Sequence, residues 1–271
     1  MFIKQYEKLN VRRRDFLKVS ALAGLTIAIP AVKIIAQDPE VINGWYERLA
    51  DALDKLPNAF PRTKSNIELT LLKKIFLPEE ANLGGLLTGT AEPVSVIAKR
   101  AGLPEEETAT RLKGMMNRGL VWGNSEKGMF RLAPFVVGIY ESQLEVMDHE
   151  LAHLFEEYLE QGGFEIMKYQ PAIHRVIPAQ SAVKTEWIMP YDKLIELMNS
   201  CNTFRVNDCI CRKQQDLLGT RKCTFPLHVE LVFYTGRVTT EPPVPPFVTR
   251  EEALAVLDHT EKIGLVHTVS N

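Results

Sequence analysis

Three of the four cysteines in this chain lie close together, in the stretch NDCICRKQQDLLGTRKCTFPLHVEL at positions 207–231. They are Cys209, Cys211 and Cys223, and Cys201 precedes them. Thiolates spaced in this way bind a metal or an iron–sulfur cluster, form a redox pair, or pack as small apolar side chains. In an extended strand, residues i and i+2 share a face but are poorly placed for a disulfide, so we expect ligation rather than a Cys209–Cys211 bond.

The fourth ligand of such a centre has several candidates. A 4Fe-4S cluster usually takes four thiolates, which the chain supplies if Cys201 folds back from the end of its helix. Alternatively His228 or Glu230 completes a set of three sulfurs, and such a set also suits structural zinc. Arg212 would offset the negative charge of a cluster, or it forms a surface ion pair with Asp208. A third interpretation is a degenerate site without metal.

A second motif is HELAH at positions 149–153, which matches the H-E-x-x-H pattern of zinc peptidases. In that pattern His149 and His153 bind zinc and Glu150 acts as the general base. Possible third ligands are Glu156, Glu157 and Glu165. Helical periodicity places the apolar residues of this segment on the opposite side, so we expect both histidines on the polar, solvent-facing side of an amphipathic helix.

The first 37 residues have the layout of an export signal. A basic start is followed by an apolar run from Val19 to Val32, which is too short to span a bilayer comfortably. Arg13 and Arg14 open the stretch RRDFLK, which resembles the twin-arginine consensus, although Arg12 stands where Ser or Thr is usual. We therefore expect export of a folded protein to the periplasm or another extracytoplasmic space, with membrane contact only if the signal stays uncleaved.

The remaining residues predict an α+β protein with a winged-helix-like module. We expect a helix and linker over 38–65, the winged-helix-like domain over 66–134, a long helix over 135–163 and an α/β domain with a small sheet over 164–271. Within the module, a helix from Val94 to Arg100, a turn, a helix begun by Pro104 and a hairpin containing Gly123 and Gly128 give the winged-helix order.

The carboxy-terminal domain alternates strand and helix patterns. Predicted strands are IHRVIPA, FRVNDCICR and HVELVFYTG, and predicted helices are YDKLIELMNSC and TREEALAVLDHTEKIG. Thr249 and Glu252 form a capping box at the start of the last helix, and Gly264 is its expected stop. Before this domain, the long helix is expected to run from Val137 to Gln161.

Nucleic acid is not an expected partner of the winged-helix-like module. Its second helix begins with Glu105–Glu107, which would meet phosphates with three negative charges. Only Arg111, Lys113 and Arg118 lie nearby to compensate, and the net charge of the chain is −2. Because fold alone does not define function, we expect this module to contact another protein or to act as a spacer.

Four stretches together resemble a known family. They are RLAPFVVGIYESQLEVMDHELAHLFEEY, HRVIPAQSAV, CICRKQQDLLGTRKCTFPLHVELVF and EEALAVLDHTEKIGLVHTVSN. Over residues 66–271 the chain resembles bacterial and archaeal 4Fe-4S ferredoxin-type proteins, which join a winged-helix-like region to a Cys-x-Cys-Arg domain. The resemblance implies three cluster ligands and two accompanying positions, namely Cys209, Cys211, Cys223, Arg212 and Pro226. The family commonly has a fourth cysteine where this chain has Glu230.

The sequence therefore predicts an exported electron-transfer protein or subunit with one iron–sulfur cluster and a redox protein or complex as its partner, delivered by the export machinery. No nucleophile–base pair or phosphate loop indicates enzymatic turnover. Two alternatives remain: a non-redox interaction subunit with a degenerate cysteine site, and the zinc peptidase that uses His149, Glu150 and His153.

Overall fold

The computed structural model of this chain describes residues 38–168, 174–177, 194–235 and 247–270. The predicted export signal, residues 1–37, lies outside the described residues. Among the helices of the described ranges, none combines the length and the apolar character that crossing a bilayer requires. From Asp38 onward the chain forms one compact unit.

Three helices open the described part, and the first of them is the helix that the sequence predicts within 38–65. They are α1 (Pro39–Asp54), α2 (Ile67–Ile75) and α3 (Pro78–Gly84). Helix α1 begins where it does because Asp38 accepts a hydrogen bond from the backbone N–H of Glu40 and proline occupies the first turn. Its apolar side, which includes Leu49 and Leu53, is fully buried.

The winged-helix order of elements follows. Its members are β1 (Glu92–Pro93), α4 (Val94–Ala101), α5 (Glu105–Asn117), β2 (Val121–Asn124) and β3 (Met129–Leu132). Helix α4 ends at Gly102, whose φ of 66° belongs to the left-handed region that glycine adopts without strain. The three strands form an antiparallel sheet in the order β1-β3-β2. The predicted helix, turn, helix and hairpin are all present.

The predicted long helix from Val137 to Gln161 is wrong in its first half. Two short turns, Phe135–Ile139 and Glu141–Gln143, replace it there. Helix α6 starts only at His149 and runs to Gln161, because the Asp148 carboxylate accepts a hydrogen bond of 2.8 Å from the backbone N–H of Leu151. The Asp148 cap fixes the start of α6 even though the apolar spacing typical of a helix continues before it.

The carboxy-terminal part consists of small antiparallel sheets and short helices. After the turn Gly163–Lys168 come β4 (His174–Ile177), α7 (Leu194–Asn199), β5 (Thr203–Asp208), α8 (Ile210–Leu218), β6 (His228–Tyr234), β7 (Phe247–Val248), α9 (Arg250–Lys262) and β8 (His267–Ser270). The strands pair as β6-β5-β7 and as β4-β8. The Thr249–Glu252 capping box of α9 is confirmed. Antiparallel sheets beside helices define an α+β fold.

The sequence predicted that the Cys-x-Cys motif lies in a strand, and this prediction is wrong. Strand β5 ends at Asp208 and α8 begins at Ile210, so Cys209 is the residue that caps the helix. The helix ends at Gly219, which has a φ of 67°. Ile210 is buried in the larger of the two hydrophobic cores. This packing favours a helix at a position where strand propensity alone predicts that β5 continues.

Two hydrophobic cores lie in the described part. The larger one joins α1 to α6 with the winged-helix-like module, and it includes Ile210 from α8. The smaller one contains Leu194, Met198, Phe204, Ala253 and Leu257. Because α8 packs against α6, the cysteine motif lies where the carboxy-terminal sheet meets the larger core. Burial of Ile210 at 3% exposure stabilises this junction by about 2 kcal/mol.

Candidate thiol site

Cys209 lies at the junction of β5 and α8. Its backbone N–H donates to the carbonyl of Leu227 at 2.8 Å, which fixes the end of the sheet to the start of the helix. The contact with the Cys211 thiol lowers the pKa of Cys209 to about 6, and the backbone N–H groups and charge of Arg212 act in the same direction. The sulfur makes no hydrogen bond of full capping geometry, but the amides at a helix N-terminus still favour its thiolate form.

Cys211 is the proton-bearing partner of this pair. Its contact with Cys209 raises the pKa of Cys211, and the negative charges of Glu141 and Glu230 raise it further. The pair therefore shares one proton between two sulfurs at neutral pH, and the helix amides and Arg212 favour the thiolate on Cys209. Such a thiolate is both a nucleophile and a soft metal ligand.

Arg212 connects the pair to the third cysteine. Its Nε donates to the Cys223 Sγ at 3.1 Å and its Nη1 donates to the carbonyl of Pro226 at 3.0 Å. The hydrogen bond from Arg212 lowers the pKa of the exposed Cys223 thiol. Since the same guanidinium favours the Cys209 thiolate, one cation serves sulfurs from two segments. Arg212 thus contacts Cys223 and not Asp208, the surface partner that the sequence suggested.

Of the two non-cysteine candidates for a fourth ligand, the structure brings only Glu230 to the thiol pair. Burial raises the pKa of Glu230 to about 7, and the negative charges of Cys209 and Glu141 add to that effect. His228 is exposed, and its Nδ1 lies 3.0 Å from the Asp208 carboxylate. Glu230 occupies the position where the resemblance places a cysteine.

Cys201 does not join the other cysteines, so its prediction as a fourth ligand is wrong. It lies before β5, whereas Cys209 lies after it. An extended strand of six residues separates the two by about 20 Å, which leaves no room for the predicted fold-back. Cys201 packs instead against the smaller hydrophobic core.

The thiol site offers soft sulfur donors, but only two of them are in contact with each other. Cys209 and Cys211 supply two sulfurs at one point, and the Arg212 guanidinium contacts Cys223. Across the described ranges 38–168, 174–177, 194–235 and 247–270, no three His, Cys, Asp or Glu side chains are grouped to hold a metal ion. A centre with three sulfurs therefore requires Cys223 to move toward the Cys209–Cys211 pair.

The HELAH motif lies on α6 with both histidines exposed, as its periodicity predicts. The Glu150 carboxylate forms an ion pair with Lys74, which also contacts Asp148 at 3.0 Å. A carboxylate held by a lysine is a poor general base. Glu156, one of the possible third ligands, accepts a hydrogen bond of 2.6 Å from Gln214 instead.

Sequence reasoning missed three polar groups beside the thiols. They are Glu141, Tyr140 and Gln214, which lie near Cys211 or hold its helix. Only Gln214 had a signal in the sequence. Ile210, Gln214 and Leu218 recur at four-residue spacing, so a helical interpretation places one polar side chain in the middle of an apolar helix face.

The fold and this site together define an α+β protein with two contacting thiols at a helix N-terminus. No protein-family model matches the chain, and neither the curated proteins nor the solved structures give a significant match. The resemblance to the 4Fe-4S ferredoxin-type family therefore stays a prediction that the motif residues carry.

Proposed function

We propose that this chain is an exported electron-transfer protein whose redox centre, a 4Fe-4S cluster, is held by the thiolates of Cys209, Cys211 and Cys223. The observation that supports the proposal is the contact between the Cys209 and Cys211 thiols at the start of α8. Two of the sulfurs contact each other, and the third is linked to them through Arg212. A cluster bound there supplies one-electron transfer at a potential that the surrounding charges adjust.

The residues around the thiols have distinct roles in this proposal. Cys209 and Cys211 would be the first ligands, because their sulfurs contact each other and the helix amides favour a thiolate at Cys209. The amides at the start of α8 and the charge of Arg212 offset the negative charge of thiolates. Glu230 is the candidate for the fourth ligand, since its carboxylate interacts with Cys209.

Anaerobic reconstitution with ferrous iron and sulfide tests this proposal. We expect the purified chain to become brown, with broad absorbance at about 400 nm from thiolate-to-iron charge transfer. Cys209→Ser, Cys211→Ser and Cys223→Ser are expected to lose most of the absorbance and iron. Cys201→Ser is the matched control and is expected to keep both, because Cys201 lies at the other end of β5.

Other outcomes of that experiment overturn the cluster. A colourless protein with stoichiometric zinc that is lost on Cys211→Ser indicates a structural zinc site. Zinc that is lost on His149→Ala but kept on Cys211→Ser indicates the peptidase. If the chain takes up no metal under anaerobic conditions, two functions remain: redox chemistry of the thiol pair itself, or a non-redox interaction subunit.

A second candidate function is thiol–disulfide exchange at Cys209 and Cys211. The observation that favours it is the contact between the two thiol groups at a helix N-terminus. The backbone turns from strand to helix at Cys209, so the poor disulfide geometry of an extended strand does not apply. The Cys209 thiolate attacks a substrate disulfide and releases one thiolate. Cys211 then loses its proton, attacks the Cys209 sulfur and releases the second thiol, so two protein thiols become one disulfide.

Mass spectrometry after oxidation by glutathione disulfide tests this candidate. A Cys209–Cys211 disulfide, seen as the loss of two hydrogen atoms within one peptide, supports it. Persistent glutathione adducts on Cys209 without a second step contradict it, because they show that Cys211 cannot resolve the mixed disulfide.

We also propose that the winged-helix-like module contacts protein rather than nucleic acid. Its helix α5 exposes Glu105, Glu106 and Glu107 in the first turn. Two nearby cations already have partners, because Arg111 pairs with Glu107 on the same helix and Arg118 pairs with Glu80. A phosphate backbone would therefore meet carboxylates and neutralised arginines.

Export by the twin-arginine route predicts a large effect of a small change at the N-terminus. Replacing Arg13 and Arg14 together by lysine is expected to retain most of the protein in the cytoplasm, because the route reads the arginine pair and not only its charge. Arg12→Lys is the matched control and is expected to be exported normally. Cell fractionation with immunoblotting measures both, and normal export of the double variant contradicts the proposal.

A further inference from the structure

A buried polar chain fastens the cysteine-bearing helix α8 to α6. The hydroxyl of Tyr140 donates a hydrogen bond to Gln214 Oε1, and Gln214 Nε2 donates to the Glu156 carboxylate at 2.6 Å. Tyr140 and Gln214 are only 1% and 2% exposed. The Tyr140 ring stacks on Phe155 with a centroid distance of 3.6 Å. Because Phe155 and Glu156 are neighbours on α6, these contacts form a closed loop.

The loop admits only one orientation of the Gln214 amide. Its oxygen accepts from a hydroxyl and its nitrogen donates to a carboxylate, so a flip of the amide would place two acceptors against each other. A buried polar group that loses its partner costs free energy of desolvation without compensation. Rotation or sliding of α8 therefore breaks both hydrogen bonds of Gln214 together.

The same helix carries the thiol pair. Gln214 lies three residues after Cys211, which is about one helical turn. The Cys211 side chain lies close enough to the Tyr140 hydroxyl for the two groups to interact electrostatically. Lys213, the neighbour of Gln214, adds a hydrogen bond of 2.7 Å from its Nζ to the carbonyl of Leu144. The contacts of Gln214 and Lys213 thus fix both the rotation of α8 about its axis and its position along that axis.

We propose that Tyr140 and Gln214 are positioning residues that hold the Cys209 and Cys211 sulfurs at their working separation. The inference rests on the proposed function only in taking the thiol pair as the redox centre, and it holds for either redox chemistry at that pair. It also assigns a role to the packing of α8 on the larger core: the amino-terminal half of the protein aligns a site in the carboxy-terminal half.

Phenylarsine oxide is a probe of this separation that needs no iron. It condenses with two thiols to form a cyclic dithioarsenite and one water, so its affinity depends on the distance between the sulfurs. Mass spectrometry of the adduct identifies the bridged pair as Cys209 and Cys211. We expect Tyr140→Phe, which keeps the ring stacked on Phe155, to weaken binding about tenfold, as the loss of one net hydrogen bond would.

The chain offers a matched control for this substitution. Tyr46 is equally buried in the same core, and its hydroxyl donates to the carbonyl of Phe76 at 2.8 Å. Tyr46→Phe removes a comparable hydrogen bond and is expected to lower the unfolding midpoint by a similar amount. Its affinity for phenylarsine oxide is expected to stay within about twofold of the parent.

A second pair of variants keeps the inference testable if Tyr140→Phe fails to fold. Glu156→Ala removes the acceptor of Gln214 and is expected to weaken binding, whereas Glu156→Gln retains an oxygen acceptor and is expected to preserve it. Equal affinity in Glu156→Ala and Glu156→Gln, or an equal loss in Tyr46→Phe and Tyr140→Phe, overturns the inference. A protein that binds no iron but shows the expected pattern keeps the inference and loses the proposed cluster.

Discussion

Replacing Arg62 by methionine is expected to lower the free energy of unfolding by about 3 kcal/mol, since it leaves a buried carboxylate without its cation. Glu68 is fully buried, and its Oε1 receives a hydrogen bond of 3.0 Å from Arg62 Nε. Among the described residues, only Thr63 would remain as a donor to this carboxylate, with its backbone N–H at 3.3 Å from Oε2. Urea unfolding followed by tryptophan fluorescence measures the change.

Two further variants separate this effect from a general loss of surface charge. Arg111→Met removes an exposed ion pair with Glu107 on one helix and is expected to change the free energy by less than about 0.5 kcal/mol. Adding Glu68→Gln to Arg62→Met is expected to recover part of the loss, because a neutral amide needs no counter-charge. Parental stability of the single Arg62 variant would show that Glu68 is stable in the core without a cation.

Local signals predicted most of the helices correctly. The Thr249–Glu252 capping box predicted the start of α9, and the structure contains it. These signals act over one helical turn, so the sequence displays them directly. The break before His149 was missed because the apolar spacing continues through it, and only the Asp148 cap marks the true start.

The candidate site was predictable in its chemistry and less so in its geometry. The spacing of Cys209 and Cys211 identified the reactive pair, but interpreting the motif as a strand hid the helix that lowers the pKa of Cys209. Cys201 was a candidate ligand because its spacing from Cys209 in the sequence is short. That spacing does not reveal that the extended strand β5 holds the two cysteines apart. Tyr140 and Gln214 lie 74 residues apart, so their contact depends on tertiary packing.

The reactivity of the Cys209 thiol is expected to depend on pH. The pKa of Cys209 is lowered to about 6, so far more of it is thiolate at pH 6.5 than of an ordinary thiol, which is about 1% ionised there. Since the thiolate is the reactive form, the rate of alkylation by iodoacetamide is expected to be high above pH 6 and to fall as the pH drops through 6. Cys211, whose pKa is raised, is expected to react more than about tenfold slower at pH 6.5.

Site-specific alkylation rates measured by mass spectrometry, with a chelator present, test this order of reactivity. Cys211→Ala removes the thiol that stabilises the Cys209 thiolate, and it is expected to slow Cys209 alkylation at pH 6.5 about tenfold by raising its pKa. Cys201→Ala is the control and is expected to change nothing, because Cys201 lies at the far end of β5. Equal rates at Cys209 and Cys211 would mean that the two sulfurs do not share a proton, and both redox proposals would lose their common basis.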